Sequence, residues 1–341
     1  MSVEVIVDEE RDRKAEHITL ALDRRMQLDA NYFDEYRFGH EALPEIDIAD
    51  VDTSVEFLGR RLAAPLLISS MTGGTAAAGV INRNLAAGAE RTGVALGIGS
   101  QRKALEDPAK ADTFRVRDAA PSIPLLANLG AVQLNYGMGI AECQAAVDMI
   151  GADALILHLN PLQEAIQPEG QCDFAGLLPR IGEVVRALPV PVVAKEIGCG
   201  LSTRAARALA GQGVRIIDTA GVGGTSWARI EAARAGDLDL GETFAGWGIP
   251  TPVSIQQVRQ VPGITVIASG GVRNGIDAAK ALALGADLVG LAYPFLQAAT
   301  ESAERVAERI RRIVRELQIC MFCLGVKTIA ELKTVELHKG S

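Results

Sequence analysis

Eight short apolar runs, each followed by a polar or glycine-rich stretch and then an amphipathic segment, constrain this chain more than any other feature. They lie at 64–69, 94–99, 123–129, 153–159, 190–197, 214–219, 264–269 and 287–292. The runs are continuous rather than alternating, as in Leu155-Ile156-Leu157 and Val192-Val193-Ala194. That is the pattern of parallel strands covered on both faces. Between them the sequence carries helix signals: 275–285 is rich in Ala and Leu and ends in Gly, and 202–211 opens with a Ser cap. Alternation repeated eight times predicts a closed α/β (β/α)8 TIM barrel over 64–300 in a single domain of 341 residues. Residues 1–63 form an N-terminal extension, and 301–341 a C-terminal helix and tail. The residues are 48% hydrophobic but only 4% aromatic, so aliphatic side chains must fill the core.

A net charge of −8 argues against a nucleic-acid partner, which demands a broad basic surface. No apolar run reaches membrane-spanning length, and the charged N-terminus lacks the apolar centre of a signal peptide. A cytoplasmic protein is expected. Five cysteines, odd in number, do not suit a disulfide framework, and Cys320-x-x-Cys323 reads as apolar helix packing.

A barrel builds its active site where its strands end, and these ends hold the unusual groups. Gly270-Gly271-Val272-Arg273 follows the seventh run and precedes a helix, an arrangement that lets backbone N–H groups and the helix dipole hold a phosphate. Lys195 ends an apolar strand and needs an anionic partner, either a nearby carboxylate or the electron-rich end of a reduced flavin. His158, Asn160, Gln163 and Glu164 fall within seven residues at the end of the fourth run. Glu164 is a candidate Mg²⁺ ligand, since one carboxylate plus substrate phosphate oxygens commonly holds that ion. Arg13 and His17 stand one helical turn apart with Lys14 beside them. With Arg102 they could clamp a diphosphate.

Taken together the motifs resemble type 2 isopentenyl diphosphate isomerases. They are R-K-x-E-H at 13–17, M-T-G-G at 71–74, G-S-Q-R at 99–102, N-L-G at 128–130, H-L-N-P-L-Q-E at 158–164, K-E-I-G-x-G-L-S at 195–202, G-V-G-G-T-S-W-A-R-I-E at 221–231 and S-G-G-V-R-N-G at 269–275. The resemblance implies an FMN site of Ser70, Met71, Thr72, Ser100, Asn128 and Lys195, completed by Thr225, Gly271, Val272, Arg273, Ala292 and Tyr293. It implies a substrate site of Arg13, Lys14, His17, Ser100, Gln101, Arg102, His158, Asn160 and Gln163. Trp227 and Glu231 would complete that pocket, and Glu164 would hold Mg²⁺.

The implied activity is interconversion of isopentenyl and dimethylallyl diphosphate in isoprenoid biosynthesis, in a homo-oligomer such as a tetramer or octamer. Such a reaction adds one proton and removes another with no net oxidation. An alkene is a weak base, so an effective acid must meet it in a dry pocket. No strand-end cysteine except Cys199, in a variable slot, could serve. Reduced FMN, with NADPH as reductant, is the expected acid and base, and Lys195, Gln163 and His158 are the expected catalytic side chains.

Two other flavin or barrel chemistries fit less well. A 2-hydroxy-acid oxidase needs a His after the seventh strand, and 269–273 has none; an inosine-monophosphate dehydrogenase needs a Cys in 221–231, which has none. A barrel that binds flavin without turnover is a third alternative, which an isomerase assay distinguishes.

Overall fold

A computed structural model describes residues 13–340, with Arg13 described by its backbone alone. Eight parallel strands close into a barrel: β1 (Leu66–Ile68), β2 (Ala95–Gly97), β3 (Leu125–Gly130), β4 (Ala154–Leu159), β5 (Val192–Glu196), β6 (Ile216–Asp218), β7 (Thr265–Ser269) and β8 (Leu288–Leu291). Every expected run holds one strand. The strands begin and end one or two residues inside most of the runs, because the outer residues turn away from the ladder. β8 pairs with β1, Val289 opposite Leu66, and this register closes the ring and leaves no free sheet edge.

Two apolar layers follow from the pleat. Leu67, Leu126, Ile156, Val193, Ile267 and Leu288 point inward and fill the barrel, while their neighbours pack against the surrounding helices. The helices start and stop where their caps dictate. Thr75 accepts from Ala78 N at 3.1 Å to open Ala76–Thr92, and Gly93 closes it at φ +66°. Ser202 likewise caps Thr203–Gly211, as its position before the apolar pattern predicted.

The N-terminal extension serves both ends of the barrel. A hairpin of Val55–Phe57 and Arg60–Leu62 plugs the lower end, burying Phe57 and Leu62 against the inner core. Arg60 holds it there through Asp153, at 2.8 Å. The helix Arg13–Leu22 lies over the opposite end, so of the described residues 13–63 only those up to Asp29 line the cavity. The C-terminal helix Ala303–Cys323 buries Val306, Ile310, Ile313, Leu317 and Met321, one apolar stripe, against the barrel's outer layer. Its approach to Ala76–Thr92 requires Gly88, where a Cβ would stand 2.5 Å from Val306. Burial pushes the Cys320 thiol up to about 11. No helix among the described residues is long and apolar enough to cross a membrane.

Candidate active site

The C-terminal ends of all eight strands open into one cavity of about 1120 Å³. It is lined by Ser70, Met71 and Thr72 after β1, Ser100 and Arg102 after β2, and Asn128 on β3. His158, Asn160, Gln163 and Glu164 line it from β4, and Lys195 from β5. Thr225, Trp227, Gly271, Val272, Arg273, Ala292 and Tyr293 complete the wall on the β6 to β8 side. Lys14 and His17 reach it from the N-terminal helix. The side chain of Arg13 lies outside the described residues.

Backbone builds one side of this cavity. Gly270 and Gly271 adopt φ +97° and +75°. A Cβ on Gly270 would stand 2.1 Å from the Gly221 carbonyl oxygen, and one on Gly271 would stand 2.6 Å from the Gly223 backbone. The loops after β6 and β7 therefore touch main chain to main chain, which only glycine allows. The helix that follows does not offer its N-terminus to a phosphate as expected. Asn274 Oδ1 takes the N–H groups of Ile276 and Asp277, Glu316 takes that of Gly275 and Asp277 takes that of Arg273. Among the described residues, the N–H groups of Gly271, Val272 and Tyr293 have no partner in the chain and remain as anion donors. The Arg273 guanidinium is likewise committed, donating to the carbonyls of Leu28 at 2.8 Å and Ala30 at 3.2 Å. It straps that segment over the rim. Thr225 is bonded to Gln27 at 2.9 Å.

The cavity wall fits a flavin in a second respect. Ser70 Oγ and Thr72 Oγ1 are buried and have no partner in the chain, a costly state that a polar ring edge would relieve. Ala220, on the same wall, holds φ +34°, local strain of about 1 kcal/mol or more.

Lys195 has the carboxylate partner that one of its two alternatives required. Asp218, 1% exposed, lies 3.0 Å from Nζ and also accepts from Ser269 Oγ at 2.5 Å, while Ser269 Oγ stands 3.3 Å from Nζ. An ammonium has three donors, so one N–H remains for the cavity that Lys195 lines. Asp218 went unnoticed in the sequence. Its signal was a carboxylate ending an apolar strand directly opposite a lysine near the end of the neighbouring strand.

Side chains build the opposite wall. His158 Nδ1 lies 2.7 Å from Asn128 Oδ1, which can only accept, so that nitrogen carries the proton. Burial, with the positive charges of Lys14 and Lys195, pushes the imidazole down to about 3, so it is neutral. Asn160 Nδ2 donates to Gln163 Oε1 at 3.0 Å and Glu164 Oε1 at 2.8 Å. Gln167 and the Gln171 N–H both donate to Glu164 Oε2, at 2.5 and 2.7 Å, leaving Oε1 a spare lone pair. Pro161, at the first turn of Pro161–Ile166, sets the short helix that projects Gln163 and Glu164 together.

Two expected substrate contacts, Gln101 and Glu231, do not line the cavity. Gln101 is fully buried, donating to Ala146 O at 2.8 Å and accepting from Asn128 N at 3.0 Å, and does not line the cavity. Its amide matches one main-chain group on the helix Ile140–Ile150 and one on β3, so it is satisfied while buried. Glu231 is also fully buried behind Gln163, which donates to it at 2.6 Å, and His17 Nε2 stands 3.0 Å away. Burial raises its pKa, yet bonds from His17, Gln163 and Arg234 outweigh this and hold it below the ordinary value. Trp227 meets the His17 ring edge-on at 5.3 Å. Arg234 and Glu196 were missed as well. Glu196 Oε2 accepts the N–H groups of Ile197 and Gly198 at 2.6 Å, and that of Cys199, so it shapes the loop after β5. Burial pushes Glu196 up to about 7 and the Cys199 thiol to about 12.

Comparison with known proteins matches this division of the cavity. The FMN-dependent dehydrogenase family matches residues 14–120 and 177–339. The stretch it skips, 121–176, holds the His158 to Glu164 cluster. Among solved structures, a mandelate oxidase variant with 2-hydroxy-phenylacetamide superposes with a TM-score of 0.64 at 17% identity, covering 96% of this chain and 91% of that one. A putative lactate oxidase from Pediococcus acidilactici gives 0.64 at 18%, covering 97% and 88%. These establish the fold. Much higher identity is found with proteins named isopentenyl-diphosphate delta-isomerase: 51% over 97% of this chain and 95% of the relative from Nostoc sp., and 56% over 91% of both chains for that from Synechococcus sp.. Flavin-barrel architecture, a skipped segment that carries the polar cluster, and identity of this extent converge: the chain belongs to the FMN-dependent, type 2 isopentenyl-diphosphate delta-isomerase family.

Proposed function

We propose that the protein interconverts isopentenyl and dimethylallyl diphosphate, with reduced FMN and Mg²⁺, in the cytoplasm and as a homo-oligomer. The observation that carries this reading is the pairing of two unlike walls across one cavity. A glycine cradle lies on one side and a side-chain cluster on the other, the latter within the segment that the dehydrogenase family does not share.

When bound, reduced FMN supplies a proton donor and acceptor to the alkene. The chain's own groups do the rest. Ser70, Thr72 and the free N–H groups of the β7 and β8 loops hold the cofactor, with Asn128 and Ser100 beside them. Lys195, anchored by Asp218 and lining the cavity, would supply positive charge that stabilises an anionic reduced flavin. Lys14, His17 and Arg102 bring positive or donor groups to the diphosphate, and Arg13 is assigned there by resemblance alone. Glu164, with a spare lone pair on Oε1, would hold Mg²⁺, which would supply positive charge for a diphosphate. His158, held neutral by burial and the nearby lysines, would gain basicity beside an anionic diphosphate. Gln163, fixed by Asn160 and Glu231, would position or relay a proton with its remaining N–H, and Trp227 would help to exclude water.

The test is an anaerobic assay on isopentenyl diphosphate with the FMN reduced by NADPH or dithionite. Many product molecules per reduced flavin are expected, with no NADPH consumed in proportion. Stoichiometric NADPH consumption, or full activity with oxidised FMN, would overturn the reading.

A further inference from the structure

We propose that Arg234 is a positioning residue for the diphosphate pocket, gathering one carboxylate from each of three segments that supply its wall. The proposal rests on the substrate reading above. Arg234 Nε lies 3.1 Å from Glu16 Oε2, on the helix that carries Lys14 and His17. Nη2 lies 3.1 Å from Glu169, just past the helix that carries Gln163 and Glu164. Nη1 lies 2.6 Å from Glu231 Oε2, on the helix that Trp227 opens.

All three guanidinium nitrogens are therefore engaged, a three-way contact that a lysine ammonium on its flexible stem does not reproduce. The Arg234 side chain is 7% exposed and Glu231 is fully buried, so that pair is shielded from water and salt, whereas Glu16 and Glu169, 32% and 56% exposed, hold the outer ends of the contact. Neither Arg234 nor any of the three glutamates lines the cavity, so their effect on substrate must pass through other residues. One route is visible: while Glu231 Oε2 takes Arg234, Oε1 takes Gln163 Nε2 and faces His17 Nε2. The second route is the helix Arg13–Leu22 itself. Ten residues are too few to be stable alone, and Arg234 ties it to the barrel.

The test uses the full-length, flavin-loaded protein and the variants Arg234→Gln, Arg234→Lys, Glu16→Gln and Glu169→Gln. Amide hydrogen exchange over 13–22 and steady-state kinetics with isopentenyl diphosphate are read for each. Arg234→Gln should speed exchange in 13–22 about tenfold or more and raise KM about tenfold, with kcat falling less. Exchange in the barrel strands and flavin retention should stay as in the wild type. Arg234→Lys should recover part of the loss, and each glutamine variant should cause a smaller KM increase. Unchanged exchange over 13–22, or a loss confined to kcat, would overturn the proposal. If Arg234→Gln fails to load flavin, the Glu16→Gln and Glu169→Gln pair decides it. If the wild type does not isomerise this substrate, the function reading fails, while the exchange measurement still judges Arg234.

Discussion

The two walls of the cavity are made by different means. On the β6 to β8 side, backbone shapes the wall: glycines let loops touch, N–H groups stay free, and Arg273 is spent on carbonyls. From β3 to β5, side chains do it, in a chain of contacts from Asn128 through His158 and from Asn160 through Gln163 to Glu231. A family of dehydrogenases matches this chain over the first wall and over Lys195 of the second, while the stretch the match skips, 121–176, carries Asn128 and the His158 to Glu164 cluster.

If the glycine wall depends on backbone contact, one methyl group should break it. Gly270→Ala adds strain at φ +97° and a collision with Gly221, costing about 2–6 kcal/mol. The variant should purify without yellow colour and unfold at lower denaturant concentration. Flavin retained at wild-type levels would show that the loops can separate.

Lys195→Ala probes the seam between the walls. It leaves Asp218 buried with no counter-charge, a loss of about 3–5 kcal/mol by denaturant titration, together with weakened flavin retention. Combining Lys195→Met with Asp218→Leu should recover much of the stability but none of the activity. A double variant no more stable than Lys195→Ala would contradict the pairing.

The side-chain wall should also carry a pH dependence that glycines cannot. Glu196 has a folded pKa raised from 4.5 to about 7, so the folded state holds its proton more tightly than the unfolded chain. Its contribution to stability is greatest below about 4.5 and declines as pH rises toward about 7, by roughly 3 kcal/mol in all. Stability of the wild type relative to Glu196→Gln, followed across this window, should fall as pH rises. A flat difference would mean that its three N–H bonds keep the carboxylate charged.

Glu164→Gln sharpens the comparison by separating reaction from cofactor. Turnover in Mg²⁺ should fall on the order of a hundredfold, about 2.7 kcal/mol, with flavin binding untouched. Wild-type dependence on Mg²⁺ in this variant would move the metal elsewhere.

The barrel was legible in the sequence because strand and helix periodicities are local, and eight runs admit few closed arrangements. The strand ends were legible too, since barrel geometry says where to look. Which face of a wall a residue serves was not. Gln101 and Glu231 sit within motifs whose neighbours line the cavity, but both turn away to satisfy buried partners. Asp218 and Arg234 matter through residues far away in the chain, and a pair of that kind has no local pattern. Likewise the helix after β7 is positioned to bind a phosphate, yet Asn274, Asp277 and Glu316 claim its first donors. Chain order and hydrophobic period settled the architecture by themselves. The assignment of each polar group to substrate, cofactor or scaffold was left to tertiary structure, because a hydrogen bond is short and directional and its partner is known only once distant strands have met.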